Sequence, residues 1–137
     1  MPHIAVDYDH SLHATFDRRR FALALHALAA ETVDGITVES CKTRFRCVDE
    51  TVIADGEPGQ ALIHIEFAIL PGRTTETKSA LSRAVLDLVR RHTASVPGVV
   101  VHASVDVCDL GRAYTKHVSS AAPADPAAPA SPGGRWR

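Results

Sequence analysis

Ala61-Leu62-Ile63-His64-Ile65-Glu66-Phe67-Ala68-Ile69-Leu70 decides the architecture of this chain. Ile63, Ile65, Phe67 and Ile69 fall on one face of an extended strand, and Leu62, His64, Glu66 and Ala68 on the other, because side chains alternate along a β-strand. Pro71-Gly72 closes the run, and Ala54-Asp55-Gly56-Glu57-Pro58-Gly59 before it is a turn. Downstream the period lengthens. Thr74 or Thr75 starts a helix whose apolar stripe is Leu81, Val85 and Leu88, with Arg83, Asp87, Arg90 and Arg91 largely off it. Pro97-Gly98 ends that segment. Val99, Val101, Ala103, Val105 and Val107 then alternate with polar residues, the pattern of a strand buried on one face.

Upstream the same order recurs. Ile4-Ala5-Val6 reads as a short strand, and Asp9 to His13 as a loop. From about Phe16, Phe21, Leu25 and Leu28 recur at helical spacing, with Thr15 or Asp17 as cap. Arg18, Arg19 and Arg20 occupy the first turn, where positive charge opposes the helix dipole, so an acidic partner elsewhere is expected to hold them. Asp34-Gly35 ends the helix, and Thr37 to Val48 reads as a strand. Pro2-His3-Ile4 in the first half is echoed by Ile63-His64-Ile65 in the second. The predicted fold is α+β: two β-α-β halves forming a four-stranded mixed sheet with two helices on one face. Apolar residues on both strand faces predict that the open face is covered by other subunits.

The 137 residues make one domain by length. The domain is expected over 1–118. Ser119 to Arg137 holds four of the eight prolines and no Leu, Ile, Val or Phe, so 119–137 is expected to be a disordered Ala/Pro-rich tail. A net charge of −1 with no basic stripe argues against a nucleic-acid partner. No apolar run approaches the ~20 residues of a membrane span, and the N-terminus lacks a signal peptide's layout. Cys41, Cys47 and Cys108 are too sparse for a disulfide framework and read as semi-buried reduced thiols, so a cytoplasmic location is expected.

Several polar clusters carry possible chemistry. Asp9, His10 and His13 lack the further ligands a structural zinc needs, so no metal is expected there. His64, Glu66, His102 and Asp106 read as satisfied sheet-face groups. Lys42, Arg44 and Arg46 alternate and share a face, and Arg73 follows the break after the central strand. The alternatives are a solvated strand edge or an anion pocket, since arginine holds carboxylates in a bidentate fork. Pro2 stands directly behind Met1. Removal of that methionine would expose a secondary amine, and α-amino groups titrate near 7.7–8.0, where a general base is useful.

Met1-Pro2-His3-Ile4, Lys42-Thr43-Arg44, Ile53-Ala54-Asp55-Gly56, Ile63-His64-Ile65 and Pro71-Gly72-Arg73 followed by Glu76 together resemble the 5-carboxymethyl-2-hydroxymuconate isomerase family of the tautomerase superfamily. The resemblance runs from Pro2 to about Val118. It implies a tautomerase-like homotrimer and a cofactor-free isomerase of aromatic (homoprotocatechuate-type) catabolism. Pro2 would be the catalytic acid/base, Arg73 would assist catalysis, and Lys42, Arg44 and Arg73 would bind a small-molecule carboxylate substrate. The family's arginine is replaced by Lys42, a point charge without the fork. That leaves open a related activity (phenylpyruvate-type tautomerase, decarboxylase or hydratase) or a non-catalytic trimeric binder of aromatic or dicarboxylic acids.

Overall fold

A computed structural model describes residues 1–124. The elements are β1 (His3–Asp9), a 3-10 turn (His10–Leu12), α1 (Arg18–Thr32), a second 3-10 turn (Val38–Ser40), β2 (Lys42–Val48), β3 (Gln60–Ile69), α2 (Thr75–His92) and β4 (Val100–Asp109). Sheet order is β2-β1-β3-β4. The outer pairs β1–β2 and β3–β4 are parallel, and the central pair β1–β3 is antiparallel. This is the expected pair of β-α-β halves in a mixed sheet.

The antiparallel register sets Ala5 opposite Glu66. A two-fold axis through that pair carries Pro2, His3 and Ile4 onto Ile63, His64 and Ile65. The sequence echo is compatible with that axis.

Both helices cover one face. Ile4, Val6 and Tyr8 of β1 and Ile63, Ile65, Phe67 and Ile69 of β3 are buried there. They pack in one cluster with Phe21, Leu25 and Ala29 of α1 and Leu81, Val85, Leu88 and Val89 of α2. Burying each large side chain of this kind is worth about 1.5–3 kcal/mol. Ala29 takes the third stripe position expected of Leu28, which is only partly buried. Asp17 caps α1 by accepting from the Arg20 N–H at 3.2 Å, and Thr74 caps α2 by accepting from Thr77 at 3.1 Å.

Three expectations need correction. The strand expected over Thr37–Val48 begins only at Lys42, because Val38–Ser40 winds into a 3-10 turn. The three arginines of α1 meet no carboxylate among the described residues. Arg18 instead donates to the His13 carbonyl at 2.9 Å and lies 5.2 Å above the Tyr8 ring. Cys47 is exposed, not semi-buried. The open sheet face is mixed: it carries the apolar Ala5, Val48, Leu62, Ala68 and Val100 beside the polar His3, Asp7, Lys42, Arg44, Arg46, His64, Glu66, His102, Ser104 and Asp106. Hydrogen bonds satisfy several of them: Arg46 grips Asp7 at 2.6 and 3.2 Å, His64 meets Ser104 at 2.7 Å and His102 meets Gln60 at 2.6 Å.

Residues 119–124 are exposed and belong to no helix or strand. The rest of the expected tail, 125–137, lies outside the described residues. Among the described residues no helix is long and apolar enough to cross a membrane.

Candidate active site

The head of β1 is where the sequence-derived site residues meet. Pro2 is buried, and its carbonyl accepts the Lys42 N–H at 3.2 Å, extending the β1–β2 pairing by one residue. Proline is tolerated at the first position of a strand because its missing N–H removes no ladder bond there. β1 is an interior strand, so the start of the chain is fastened between β2 and β3.

The free amine at this point belongs to Met1. Partial burial lowers its pKa below the ordinary value of 8.0, and the charges of Arg73, Lys42 and Lys116 lower it further. Arg73 and Lys42, singled out from sequence, thus act on one point in space. Arg44 sits one side-chain position further along β2, opposite Ala5, and is exposed. Its charge is felt by His3, whose pKa is lowered by desolvation first, then by Lys42, Arg44 and the amine. Arg46 is committed to Asp7.

Arg73 is held by main chain. Nη1 donates to the Leu70 carbonyl at 3.2 Å and Nη2 to the Asp34 carbonyl at 3.1 Å. The loop after α1 and the loop after β3 therefore converge on one guanidinium. Gly35 makes room for it. A Cβ built there would lie 3.2 Å from Arg73 Nη2, and the residue's φ of +88° is the left-handed region that favours glycine. Lys42 Nζ is turned onto the Ser40 carbonyl at 2.8 Å. Cys41 lies beside the same amine, and burial raises its thiol pKa, which keeps it a protonated and unreactive neighbour.

Reasoning from sequence missed the partners of this cluster. Asp34-Gly35 reads as an ordinary helix end, with no sign that it would seat an arginine 39 residues away. Tyr114 and Lys116 carried no motif, and His3 stood only inside the Pro2-His3-Ile4 run with no partner indicated. Tyr114 OH lies 2.8 Å from His3 Nε2, across 111 residues of sequence.

The remaining polar candidates lie elsewhere. His64, Glu66, His102 and Asp106 belong to the open face of β3 and β4. His10 and His13 lie past the far end of β1, about 20 Å along the strand. Asp9 is spent accepting from Ser11, and His13 Nδ1 is 2.9 Å from Tyr8 OH. Among the described residues no group of three or more His, Cys, Asp or Glu side chains could hold a metal. An open cleft of about 750 Å³ lies between α1 and β2, lined by residues such as His13, Arg18, His26 and Thr43, and is separate from Pro2 and Arg73.

The arrangement can therefore hold an anion beside an amine that loses its proton more readily than usual. The family model described as 5-carboxymethyl-2-hydroxymuconate isomerase matches residues 2–113. A crystal structure of a 5-carboxymethyl-2-hydroxymuconate isomerase from Deinococcus radiodurans R1 superposes with a TM-score of 0.73 at 21% identity, covering 87% of this chain and 90% of that one. A 5-carboxymethyl-2-hydroxymuconate delta-isomerase gives 0.74 at 15% identity, covering 87% and 89%. A fused 4-OT that forms a symmetric trimer gives 0.58 at 14% identity, covering 79% and 86%. At these identities the structures show a shared fold. No curated protein matches the chain by sequence.

Proposed function

The chain belongs to the 5-carboxymethyl-2-hydroxymuconate isomerase family, and from that premise we propose that it moves a proton within an unsaturated 2-hydroxy or 2-oxo di- or tricarboxylic acid. Membership of the family makes it a tautomerase-superfamily isomerase. The choice of substrate, the acid/base and the assembly are proposed here.

The observation that carries the reading is the depressed amine at the head of an interior strand, with Arg73 and Lys42 acting on it. The Met1 amine stands in for the secondary amine that Pro2 presents once Met1 is removed. Desolvation and like charge both favour the neutral form of such a group. In the proposed reaction the Pro2 nitrogen takes the enol O–H proton. The O–H electron pair forms the C=O bond, and the conjugated π pair moves to the far carbon. The Pro2 ammonium returns its proton to that carbon. One bond to hydrogen breaks and one forms, so the step is balanced with no oxidant, reductant or cofactor. Arg73, with Lys42 and Arg44, holds the substrate carboxylates and stabilises the dienolate charge. General acid–base help of this kind contributes about 10²–10⁴-fold.

A homotrimer of the 1–118 domain is proposed on the likeness to a neighbour that forms a symmetric trimer and on β2 and β4, whose outer edges are unpaired among the described residues.

The test compares protein that has lost Met1, verified by intact mass, with protein that retains it. Turnover of 2-hydroxy-dienoic di- and tricarboxylates is followed by ultraviolet absorbance beside phenylpyruvate. The processed form should isomerise the dicarboxylates and the Met1-retaining form should not. Equal rates in the two forms would sink the mechanism. A preference for phenylpyruvate would move the chain to a neighbouring activity within the superfamily.

A further inference from the structure

The chain does not stop contributing to the site where the family match ends. That match covers residues 2–113. After β4 the backbone turns, with the Tyr114 N–H donating to the Gly111 carbonyl at 3.0 Å, and comes back over the head of β1. Two side-chain contacts hold it there. Tyr114 OH is 2.8 Å from His3 Nε2, with the rings edge to face and 5.5 Å between centroids. Lys116 Nζ lies 3.4 Å from Sδ of Met1.

The second contact is the informative one. A thioether is a weak acceptor and leaves an ammonium's charge unanswered. Among the described residues the ion pairs are Arg46–Asp7, Lys78–Asp109 and Arg91–Asp87, and Lys116 belongs to none. Loss of Met1 would take away the sulfur and leave Lys116 facing the new amine together with Arg73 and Lys42. Three cations around one small space repel each other, and the repulsion is relieved most by a ligand with more than one negative charge.

We propose that Lys116 is a specificity-determining residue of this site. It would take a second carboxylate of the bound acid, while Arg73 holds the first. The Tyr114–His3 hydrogen bond would be the positioning contact that keeps the segment carrying Lys116 in place. The inference rests on the proposed function in one respect, the removal of Met1. It adds a binding residue from outside the span that the family model matches.

The experiment uses the full chain lacking Met1 and two unreactive probes of equal length, adipate and hexanoate, with calorimetric binding as readout. Lys116→Gln should weaken adipate about tenfold, the ratio equivalent to 1.4 kcal/mol, and change hexanoate less than twofold. Lys116→Arg should restore adipate binding. Tyr114→Phe should weaken adipate in the same direction by a smaller factor. Equal losses for both probes in Lys116→Gln, or no loss for either, overturn the assignment, as does a parent protein that binds the two acids equally. Turnover separates this from the parent reading. A protein that binds adipate through Lys116 but isomerises no enol acid refutes the proposed function and leaves the Lys116 assignment standing. An active isomerase indifferent to Lys116→Gln does the reverse.

Discussion

Gly35→Ala tests whether Arg73 is placed by the loop after α1. Two costs are expected, and they can be told apart. The first is backbone strain. Gly35 has φ +88°, and an L-residue in the left-handed region costs roughly 1–2 kcal/mol. On a domain of this size that lowers Tm by roughly 5–10 °C. The second is specific to the site. The new Cβ would sit 3.2 Å from Arg73 Nη2, the same nitrogen that donates to the Asp34 carbonyl at 3.1 Å. The guanidinium must move by a few tenths of an ångström, which loosens that bond and turns it away from the carboxylate it is proposed to hold. Positioned recognition is sensitive to such shifts, so kcat/KM should fall about tenfold, or ~1.4 kcal/mol of transition-state stabilisation. Gly56→Ala is the control. Gly56 has φ +85° in the turn before β3, with nothing within 4 Å of its would-be Cβ. It should lose a similar Tm and no kcat/KM. Thermal unfolding and steady-state kinetics on both variants decide the matter. If Gly35→Ala keeps wild-type kcat/KM while its Tm falls like that of Gly56→Ala, the loop does not place Arg73.

Further outcomes follow from the same structure. Arg73→Gln removes a charge that lowers the amine's pKa, so the acid limb of a kcat/KM profile should move to higher pH, toward the ordinary value of about 8; an unmoved limb separates Arg73 from the base. Arg19→Glu replaces a positive charge in the first turn of α1 and should stabilise the fold by about 0.3–1 kcal/mol at low salt, with the gain fading as salt is added. His26 is half-buried and 2.8 Å from Thr43 Oγ1, and desolvation lowers its pKa. A lowered folded pKa means the unfolded chain binds more protons. That stability is present above about pH 6.5 and lost as pH falls through the folded value. Urea unfolding at pH 5 and 7 should show a smaller acid loss in His26→Gln than in the parent.

The fold was legible where a residue's period and its burial have the same cause. Ile63, Ile65, Phe67 and Ile69 alternate because helices cover one side of β3, and that reading needs only neighbours in sequence. Leu81, Val85 and Leu88 are legible for the same reason. The boundary at Lys42 was not, since Val38-Glu39-Ser40 is compatible with either a strand or a tight turn and a hydrogen bond from Ser40 to Thr37 decides it. For the open face, a strand's second side shows its register but not what covers it. For the site, Arg73 and Lys42 stood out by type and position beside strand ends. Gly35, Tyr114 and Lys116 did not, because each matters only through a contact formed 38 to 115 residues away, and no local pattern records that. Asp9, His10 and His13 show the converse, a local cluster in which Asp9 is taken up by Ser11 and His13 by Tyr8.

The antiparallel joint between β1 and β3 has a consequence for how the polypeptide can be divided. Each half holds its own parallel strand pair and its own helix, and among the described residues the six pairs from His3–Ala68 to Tyr8–Ile63 are the sheet's only bond between them. The covalent link between the halves is the exposed turn at 54–59, where Ala54, Gly56 and Gly59 all have positive φ. Within that link only Gly59 is tied to a strand, its carbonyl accepting the Val100 N–H at 2.8 Å. Cut between Gly56 and Glu57, the protein becomes two fragments with complementary sheet edges and a shared helical layer. Coexpressed, they should reassemble across the β1–β3 seam, a split protein whose halves meet at Ala5 and Glu66.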